Sequence, residues 1–341
     1  LTFKRIDALA AVNSILNPGC TTPTNGMVIT QSTTFCHGTY NLPNGVRIGA
    51  SDITLNCNGA TLNGPGGWPI DSTGIFNNGY DRVVINNCNV QNYRYGIALN
   101  LADFNTLTYN IVNNNDYGMW LESSSSNTLT SNTANNNRAQ GIDFRGSSSY
   151  STLTSNTANN NRNGFLFSDS YRNTLTYNTA NNNINDGFQF AFASSNYNLF
   201  EYNTANNNGD DGFQLTQTPY NILRFNTANN NSKGFYLYEG YTNSNTIVSN
   251  IVQGNSIGIK MFASDPYWFP RNNLIYNNFF NNTLNAQDPG NNTWNTARTP
   301  GTNIIGGPFL GGNFWHDYTG ADTDGDGLGD ACDPDDDGDG I

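Results

Sequence analysis

The hexapeptide Asn-Thr-Ala-Asn-Asn-Asn at 132–137 occurs five times in this chain of 341 residues, and its spacing decides the fold. The copies begin at Asn132, Asn156, Asn178, Asn203 and Asn226, so the steps between them are 24, 22, 25 and 23 residues. A unit this short cannot bury a hydrophobic core alone, so successive units must stack on one another. The repeat therefore predicts a solenoid.

A glycine followed by an apolar, a variable and an apolar residue is the second mark of each repeat. Its copies begin at Gly96, Gly118, Gly141, Gly164, Gly187, Gly212, Gly234 and Gly258. Apolar residues two positions apart predict short strands, and the intervening Asn and Gly clusters predict turns. We expect an all-β solenoid of about ten coils between Cys57 and Asn277.

The first asparagine of each repeat is expected to form a column along the solenoid. Asparagine tolerates the left-handed backbone of sharp corners, and identical stacked amides can hydrogen-bond to one another. The predicted asparagine ladder comprises Asn110, Asn132, Asn156, Asn178, Asn203, Asn226, Asn250 and Asn277.

Residues 45–320 resemble the right-handed parallel β-helix repeat proteins, which include NosD-type periplasmic proteins and related carbohydrate-binding or sugar-hydrolase repeat domains. The resemblance is carried by the repeats, by Ile53–Gly59 and by the Gly-Gly-Asn-Phe-Trp-His-Asp-Tyr segment at 311–318. It implies a right-handed parallel β-helix. It implies no single activity, because this scaffold hosts lyases, hydrolases, adhesins and inert spacers.

Segments outside the β-helix are expected at both ends of the sequence. Residues 1–44 are interpreted as an N-terminal cap and disulfide loop, with apolar residues of 3–16 at roughly helical spacing. A helix there would cover the open end of the solenoid, and an interaction helix is the alternative. Residues 321–341 form a separate Asp-rich segment, and we expect the native protein to continue beyond it.

The cysteines indicate an oxidising compartment. Cys20 and Cys36 are expected to pair, and Cys57 and Cys88 are either bridged or two buried free thiols. No run is apolar enough to span a membrane. These features predict a secreted, extracellular or cell-surface protein.

A calcium site is predicted in the Asp-rich segment. Oxygen ligands at loop positions 1, 3, 5, 7, 9 and 12 fit a hard cation, with glycine at the sharp turn. The predicted ligands are Asp322, Asp324, Asp326, the Leu328 carbonyl, Asp330 and Asp333, and a second loop begins with Asp335, Asp337 and Asp339. The run resembles thrombospondin type 3 repeats, which implies structural calcium bound by these same residues.

Charge supports calcium over the alternative, a disordered acidic tail. The net charge is −12, and nine aspartates without Lys or Arg lie in 322–341, so the rest of the chain carries only −3. A copper centre is not expected, because the chain has only His37 and His316 and no Cys-x-x-Cys motif.

The best catalytic candidate on the outer face of the repeats is the group Glu122, Asp143 and Arg145. An ordinary surface salt bridge is the favoured interpretation of that group. Asp210 and Asp211 are interpreted as turn residues, since Asp is common in turns for backbone reasons. No catalytic site is therefore predicted.

Two arrays suggest binding surfaces. Tyr177, Tyr202 and Phe225 precede the ladder asparagine on consecutive coils and could stack sugar rings, although aromatic packing is favoured. Thr-Leu-Thr at 106–108, 128–130, 152–154 and 174–176 is similar to ice-binding solenoids. No basic stripe is present, so a nucleic-acid partner is not expected.

The sequence favours a non-catalytic extracellular structural or adhesive module, such as a stalk, surface-layer or fibre subunit. Its expected partners are calcium ions, neighbouring copies of itself and cell-surface glycans. The alternative is a carbohydrate-binding or polysaccharide-processing β-helix, and ice binding is a minor alternative.

Overall fold

A computed structural model describes residues 19–66, 71–192 and 194–317. The chain divides into two compact units, unit 1 (Leu1–Thr152) and unit 2 (Leu153–Ile341). The proposed cap helix within 3–16 and the Asp-rich segment 321–341 lie outside the described residues. The three-segment division predicted from the sequence stays a prediction.

Unit 1 is built of short strands. They are β1 (Met27–Ile29), β2 (Thr33–Thr34), β3 (Thr39–Asn41), β4 (Val46–Ile48), β5 (Thr54–Asn56), β6 (Thr61–Asn63), β7 (Thr73–Asn78), β8 (Val84–Asn86), β9 (Asn89–Gln91), β10 (Tyr95–Asn100), β11 (Thr106–Thr108), β12 (Ile111–Val112), β13 (Tyr117–Glu122), β14 (Thr128–Thr130) and β15 (Gln140–Arg145). The next strand, β16 (Thr152–Thr154), begins at the last residue of the unit.

Unit 2 continues the same pattern of strands. They are β17 (Asn163–Ser168), β18 (Thr174–Thr176), β19 (Phe188–Ala191), β20 (Leu199–Glu201), β21 (Thr204–Asn206), β22 (Asp211–Thr216), β23 (Ile222–Arg224), β24 (Thr227–Asn229), β25 (Lys233–Tyr238), β26 (Thr246–Val248), β27 (Ile251–Gln253), β28 (Ile257–Phe262), β29 (Leu274–Tyr276), β30 (Phe279–Asn281), β31 (Leu284–Gln287), β32 (Thr299–Pro300), β33 (Phe309–Leu310) and β34 (Phe314–Trp315). A 3₁₀ turn at Pro266–Trp268 is capped by the Asp265 side chain, which accepts a hydrogen bond from the Tyr267 amide.

Each unit consists of coils with three sides, and each side stacks into a parallel sheet. The long-strand sheet contains β1, β4, β7, β10, β13 and β15 in unit 1, and β17, β19, β22, β25, β28 and β31 in unit 2. The two other sheets contain the shorter strands in the same sequential order. The β32–β33 pair is antiparallel. The predicted fold class, an all-β parallel β-helix, is confirmed.

Alternating side chains of the strands fill the interior of each coil. In unit 2, Phe165, Phe188, Phe213 and Phe235 stack ring on ring, with successive centroids 4.7, 4.9 and 5.0 Å apart. These rings are fully buried. Their offset stacking adds to the free energy gained by removing each ring from water.

The predicted asparagine ladder is present within each unit. In unit 2, the backbone and side-chain amides of Asn178 donate to Asn203 Oδ1 at 2.9 and 3.0 Å. The Asn203 side chain donates in turn to the Leu175 carbonyl at 2.8 Å and to Asn226 Oδ1 at 3.1 Å. Each buried amide is thus satisfied by the preceding coil and the next, which fixes the stacking distance and register.

One predicted member of this ladder is wrong. Asn250 donates to Asn278 Oδ1 at 2.9 Å, so Asn278 and not Asn277 continues the column. Asn277 instead occupies the corner with φ 54°, and its side-chain amide donates to Ser249 Oγ at 2.7 Å. In this coil Ile275, the register partner of Ile247, is the buried strand residue, so the ladder asparagine three positions later is Asn278.

Two further asparagine ladders mark the other corners of the coil, and the sequence reasoning missed both. In unit 2 the second runs through Asn183, Asn208, Asn231 and Asn255. The third runs through Asn198, Asn221, Asn245 and Asn273. The last residue of the hexapeptide therefore serves the second ladder, as its first residue serves the first.

The regular recurrence of glycine from coil to coil has a steric cause. A Cβ atom on Gly212 would lie 2.7 Å from the Gly234 carbonyl oxygen and 3.1 Å from the Ala228 Cβ atom. Neighbouring coils approach too closely there for any side chain. The glycine thus sets the start of each long strand.

Unit 1 contains the expected Cys20–Cys36 disulfide, and of the two alternatives for Cys57 and Cys88 the bridged one is present. Cys20 is bonded to Cys36, and Cys57 is bonded to Cys88 with their Cα atoms 4.7 Å apart. The second bridge joins adjacent coils at the position of the first ladder, because the Cys88 amide donates to Asn110 Oδ1 at 3.1 Å. A covalent bond there replaces the amide pair of the later coils.

Candidate active site

An acidic cluster lies at the start of three consecutive long strands of unit 2. Asp186 immediately precedes Gly187, Asp211 precedes Gly212 and Lys233 precedes Gly234. Asp211 and Lys233 are direct partners in the parallel register of β22 and β25. One oxygen from each of Asp186, Asp210 and Asp211 lies within 4.8 Å of the others.

Lys233 connects a buried carboxylate with one at the surface. Its Nζ lies 2.6 Å from Asp211 Oδ1 and 2.6 Å from Asp210 Oδ1. The Asp211 side chain is 0 % exposed, that of Lys233 is 15 % and that of Asp210 is 52 %. The ammonium group therefore bridges the interior of the cluster and solvent.

Asp186 completes the cluster from the preceding coil. Its Oδ1 accepts a hydrogen bond from the Asp211 amide at 3.1 Å. The second oxygen of Asp211, Oδ2, is buried without a hydrogen-bond partner among the described residues. An unsatisfied buried carboxylate oxygen is costly, and protonation of that oxygen lowers the cost.

Burial raises the pKa of both inner carboxyl groups. The pKa of Asp186 rises to about 7, chiefly through burial and against the hydrogen bond from the Asp211 amide. The pKa of Asp211 rises to about 8, through burial and the nearby Asp186 charge and against Lys233. Both carboxyl groups are therefore protonated to a large extent near neutral pH.

Polar and aromatic side chains surround the cluster on the outer face. Gln189 donates to Gln214, and Gln214 is the register partner of Tyr236. Lys233 Nζ lies 4.8 Å from the centre of the Tyr236 ring, and burial raises the pKa of this tyrosine to about 12. Tyr236 therefore stays a protonated hydrogen-bond donor at neutral pH.

The sequence reasoning missed this site because it examined the column after each glycine. The relevant column is the residue before it, which reads Asn163, Asp186, Asp211 and Lys233 in four consecutive coils. Aspartate, aspartate and lysine at one repeat position are the signal that could have revealed the cluster. Asp211 is not an ordinary turn residue, since it begins β22 and is buried.

The predicted Glu122, Asp143 and Arg145 group lies in unit 1 and is held by an ion pair. Arg145 Nε lies 2.9 and 3.0 Å from the two Asp143 oxygens. The pair is not at the surface, because Asp143 is buried, and this burial raises its pKa to about 6. Glu122 is the register partner of Arg145.

The aromatic rungs pack against one another. Tyr177 stacks on Tyr202, and Tyr202 stacks on Phe225, with ring centroids 5.0 Å apart in both pairs. The ring faces are thus used between coils, as the packing interpretation predicts. The Thr pairs do not continue through unit 2, where Leu199 and Glu201 oppose Thr174 and Thr176.

The predicted calcium ligands, Asp322 to Asp339, lie outside the described residues, so this site stays a prediction. No helix in the described ranges is long and apolar enough to cross a membrane.

The fold places the protein in the class of parallel β-helix solenoid proteins. Within that class the chain belongs to the NosD family, whose profile is described as periplasmic copper-binding protein (NosD) and matches residues 45–201 and 189–320. Family membership and the two disulfides indicate a secreted or periplasmic protein. No curated protein sequence matches the chain.

Several solved structures share the fold at low sequence identity. The periplasmic alginate epimerase has a TM-score of 0.65 at 13 % identity, covering 78 % of this chain and 76 % of that chain. The A-module of a mannuronan C-5 epimerase from Azotobacter vinelandii has a TM-score of 0.59 at 14 % identity, covering 83 % and 89 %. The catalytic domain of an α-1,3-glucanase of family GH87 has a TM-score of 0.61 at 15 % identity, covering 79 % and 61 %.

These comparisons overturn the expectation of a non-catalytic structural or adhesive module. The three structures named above are two epimerases and a glucanase, and none of them is named as a stalk, fibre or surface-layer protein. The expectation failed for a physical reason: stacking explains most of the repeat. Asp186 and Asp211, two buried carboxyl groups with raised pKa values, occupy one column that stacking alone leaves unexplained.

The described residues do not fit a copper centre. Copper in proteins is bound by clusters of His, Cys and Met. Met119 and Met261 are buried in the core, and Met27 is a half-buried residue of β1. The described cysteines are all in disulfides, and neither His37 nor His316 belongs to a potential metal-binding group. In the described ranges the only such group is Asp186, Asp210 and Asp211, which offers hard oxygen ligands.

Proposed function

We propose that this protein is a polysaccharide-processing β-helix that cleaves glycosidic bonds by acid–base catalysis at the Asp186–Asp210–Asp211–Lys233 cluster. One observation carries the proposal: the buried carboxyl group of Asp211, whose pKa rises to about 8, is linked through Lys233 to the surface carboxylate of Asp210, and the buried Asp186, with a pKa of about 7, accepts a hydrogen bond from the Asp211 amide. Perturbed carboxyl groups of this kind concentrate at catalytic sites.

The geometry gives each residue a separate role. Asp210 is the carboxylate that a bound sugar can contact, because half of its side chain is exposed. Lys233 holds Asp210 in place and links it to Asp211 by two hydrogen bonds. Asp186 and Asp211 keep a proton inside the cluster at neutral pH, so the site can both donate and accept one.

The spacing of the carboxyl groups suits glycoside chemistry. Glycosidases place two carboxyl groups on either side of the bond, about 5 Å apart in enzymes that retain configuration and further apart in those that invert it. One oxygen each of Asp186, Asp210 and Asp211 lies within 4.8 Å of the others, close to the shorter separation, and Asp210 is the one of the three that a substrate can reach. Gln189, Gln214 and Tyr236 line the same outer face and offer hydrogen bonds to sugar hydroxyls.

The fold neighbours support the choice of carbohydrate. By their names, they include epimerases of alginate and mannuronan and an α-1,3-glucanase. A parallel β-helix offers a long, flat outer face built from repeated strands, which suits an extended polysaccharide. We also propose that the protein reaches the cell exterior, where such polymers occur, and that Asp322 to Asp339 bind calcium.

The test is a turnover assay on a panel of neutral and acidic polysaccharides. Release of reducing ends by the full chain, lost in Asp210→Asn and Lys233→Met but retained in Asp265→Asn, supports the proposal. Asp265 is a suitable control because it caps the 3₁₀ turn and lies outside the cluster. An unsaturated, ultraviolet-absorbing product would show elimination in place of hydrolysis, and no turnover on the whole panel would overturn the proposal.

A further inference from the structure

A groove on the outer face of the long-strand sheet of unit 1 has the chemistry of an anionic sugar site. Its cavity volume is about 740 Å³, and its lining includes Arg47, Phe76, Tyr95, Ala98 and Trp120. We propose that this groove binds a uronic acid unit of a polysaccharide. The proposal concerns unit 1 alone and does not depend on the cluster in unit 2.

The strand register builds the floor of the groove. Arg47 is the partner of Phe76, Phe76 of Ala98, and Ala98 of Trp120 in four consecutive coils. The small Ala98 thus lies between Phe76 and Trp120 in one column, and at 2 % exposure it forms the covered bottom of the groove. This arrangement leaves a recess bordered by flat ring surfaces, against which the apolar face of a pyranose ring can pack.

Aromatic side chains also form one wall of the recess. The Tyr95 ring lies 5.2 Å from the Trp120 ring and is tilted by 43° to it. Tyr95 is stacked on Tyr117 at 5.1 Å, so packing within the sheet holds it in place. A platform supported in this way loses little side-chain entropy when a ligand binds.

Arg47 supplies the charge that selects an anion. Its guanidinium lies 5.5 Å from the centre of the Phe76 ring, and no described residue forms an ion pair with it. The other arginine nearby, Arg94, is already paired with Asp71 at 3.1 Å. The lining also holds Asp71, which is paired with Arg94, so Arg47 is the charged side chain of the groove without an ion-pair partner among the described residues.

The chemistry of arginine favours a carboxylate at this position. A guanidinium presents parallel N–H donors that match the two oxygens of a carboxylate, and stacking on an aromatic ring pre-orients it. A pyranose with a carboxylate satisfies both halves of the site, since its ring contacts the Trp120 side and its charge reaches Arg47. A neutral sugar leaves the guanidinium unused.

Calorimetry on the full chain tests the proposal without any requirement for turnover. The probes are size-matched oligomers of polyuronate, the same oligomers with their carboxyl groups reduced to alcohols, and a sulfated oligosaccharide. We expect the polyuronate to bind at least ten-fold more tightly than the reduced form. Equal binding of the two, or tighter binding of the sulfated probe, would overturn the assignment.

Variants test whether polyuronate binding depends on the groove or on the overall charge of the protein. Arg47→Gln is expected to weaken polyuronate binding at least ten-fold, and Ala98→Trp, which fills the recess, at least as much. Arg82→Gln is the matched control, because Arg82 is an exposed arginine of unit 1 paired with Asp52 outside the groove. Circular dichroism checks that each variant is folded, and undiminished binding by Arg47→Gln would contradict the proposal.

The same variants distinguish this proposal from the proposed function. Loss of binding in Arg47→Gln with no turnover on any polysaccharide would support the groove and reject the catalytic role of the acidic cluster. Turnover on a polysaccharide without polyuronate binding to the groove would support the catalytic role of the acidic cluster and reject the groove.

Discussion

Lys233 Nζ lies 2.6 Å from Asp211 Oδ1, and the Asp211 side chain has no exposure to solvent. Its other oxygen, Oδ2, has no hydrogen-bond partner among the described residues. This carboxyl group is therefore only half satisfied when it is charged. The predictions on pH and activity follow from this unsatisfied oxygen.

The stability of the protein should fall as the pH rises from about 4 to about 8. Asp186 and Asp211 have pKa values near 7 and 8 in the folded protein, above the value of about 4 for an unfolded chain. A raised pKa contributes stability that is full below the unfolded value and is lost as the pH passes through the folded value. Thermal melts across this range measure the effect, expected to be on the order of a few kcal/mol.

The double variant Asp186→Asn, Asp211→Asn should flatten that dependence. Asparagine keeps the size of aspartate and a neutral oxygen that accepts the amide hydrogen bond, so the fold tolerates it. If the melting temperature of the unsubstituted protein changes with pH no more than that of the double variant, the pair does not hold the proton assigned to it.

Activity should depend on the bridge between Asp211 and Asp210. Lys233→Met keeps the length of the side chain and removes the ammonium group, so we expect kcat to fall by about 10²-fold or more. Asp211→Asn should shift the pH profile of kcat, because it removes one of the two coupled titrations. A profile that keeps its shape in Asp211→Asn would show that the buried pair takes no part in turnover.

The asparagine ladder should dominate the stability of unit 2. Asn203→Ala removes an amide that forms hydrogen bonds with both neighbouring coils, and leaves buried partners such as the Leu175 carbonyl unsatisfied. We expect a loss of roughly 3 kcal/mol or more in the free energy of unfolding. Asn185→Ala is the control, since no side-chain hydrogen bond of Asn185 is present in the described part of the chain. If chemical denaturation shows equal losses of unfolding free energy in Asn203→Ala and Asn185→Ala, a ladder asparagine contributes no more than one outside the ladder.

The Cys57–Cys88 bridge should stabilise unit 1. The two residues are 31 apart in sequence, and closing a loop of that length in the unfolded chain is worth about 4 kcal/mol in the chain-entropy view. Reduction, or replacement of both cysteines by Ala, should lower the melting temperature by more than loss of Cys20–Cys36, whose loop spans 16 residues. The opposite order would indicate that loop length does not govern the effect.

Calcium should bind the Asp-rich C-terminal segment. Terbium luminescence or calorimetry on the full chain should detect binding that a chelator reverses, and Asp326→Ala should weaken it because it removes a predicted ligand. Asp288→Ala, an aspartate outside that segment, is the control. Unchanged binding in Asp326→Ala would place the ions elsewhere.

Much of the fold could be predicted because it depends on repetition. The glycine before each long strand, most of the first asparagine ladder and the Cys20–Cys36 bridge follow from spacing, since stacked coils place like residues above like. The Cys57–Cys88 bridge was one of two alternatives. Asn277 was placed wrongly because Leu274 and Ile275 are adjacent apolar residues, and the sequence does not show that Ile275 is the buried one. The two additional ladders were missed because only the first asparagine of each repeat was considered as a stacked residue.

The candidate site could not be predicted because it depends on burial. Asp210 and Asp211 are adjacent in sequence, yet one is half exposed and the other is fully enclosed. That difference decides which carboxyl group holds a proton, and it arises from how β22 begins, not from residue type. Arg47 was likewise overlooked, because its lack of a carboxylate partner is visible only once the neighbouring coils are in place.

The hydrogen bonds between Asn178, Asn203 and Asn226 are the same at every step, so a coil of unit 2 is interchangeable with its neighbours. Deleting one whole period between equivalent asparagines would bring Asn178 directly onto Asn226 with no mismatched donor or acceptor. Proteins built in this way can gain or lose length by duplication and recombination of their genes. The few residues that break the periodicity, such as Lys233, are then the ones that such exchanges cannot replace.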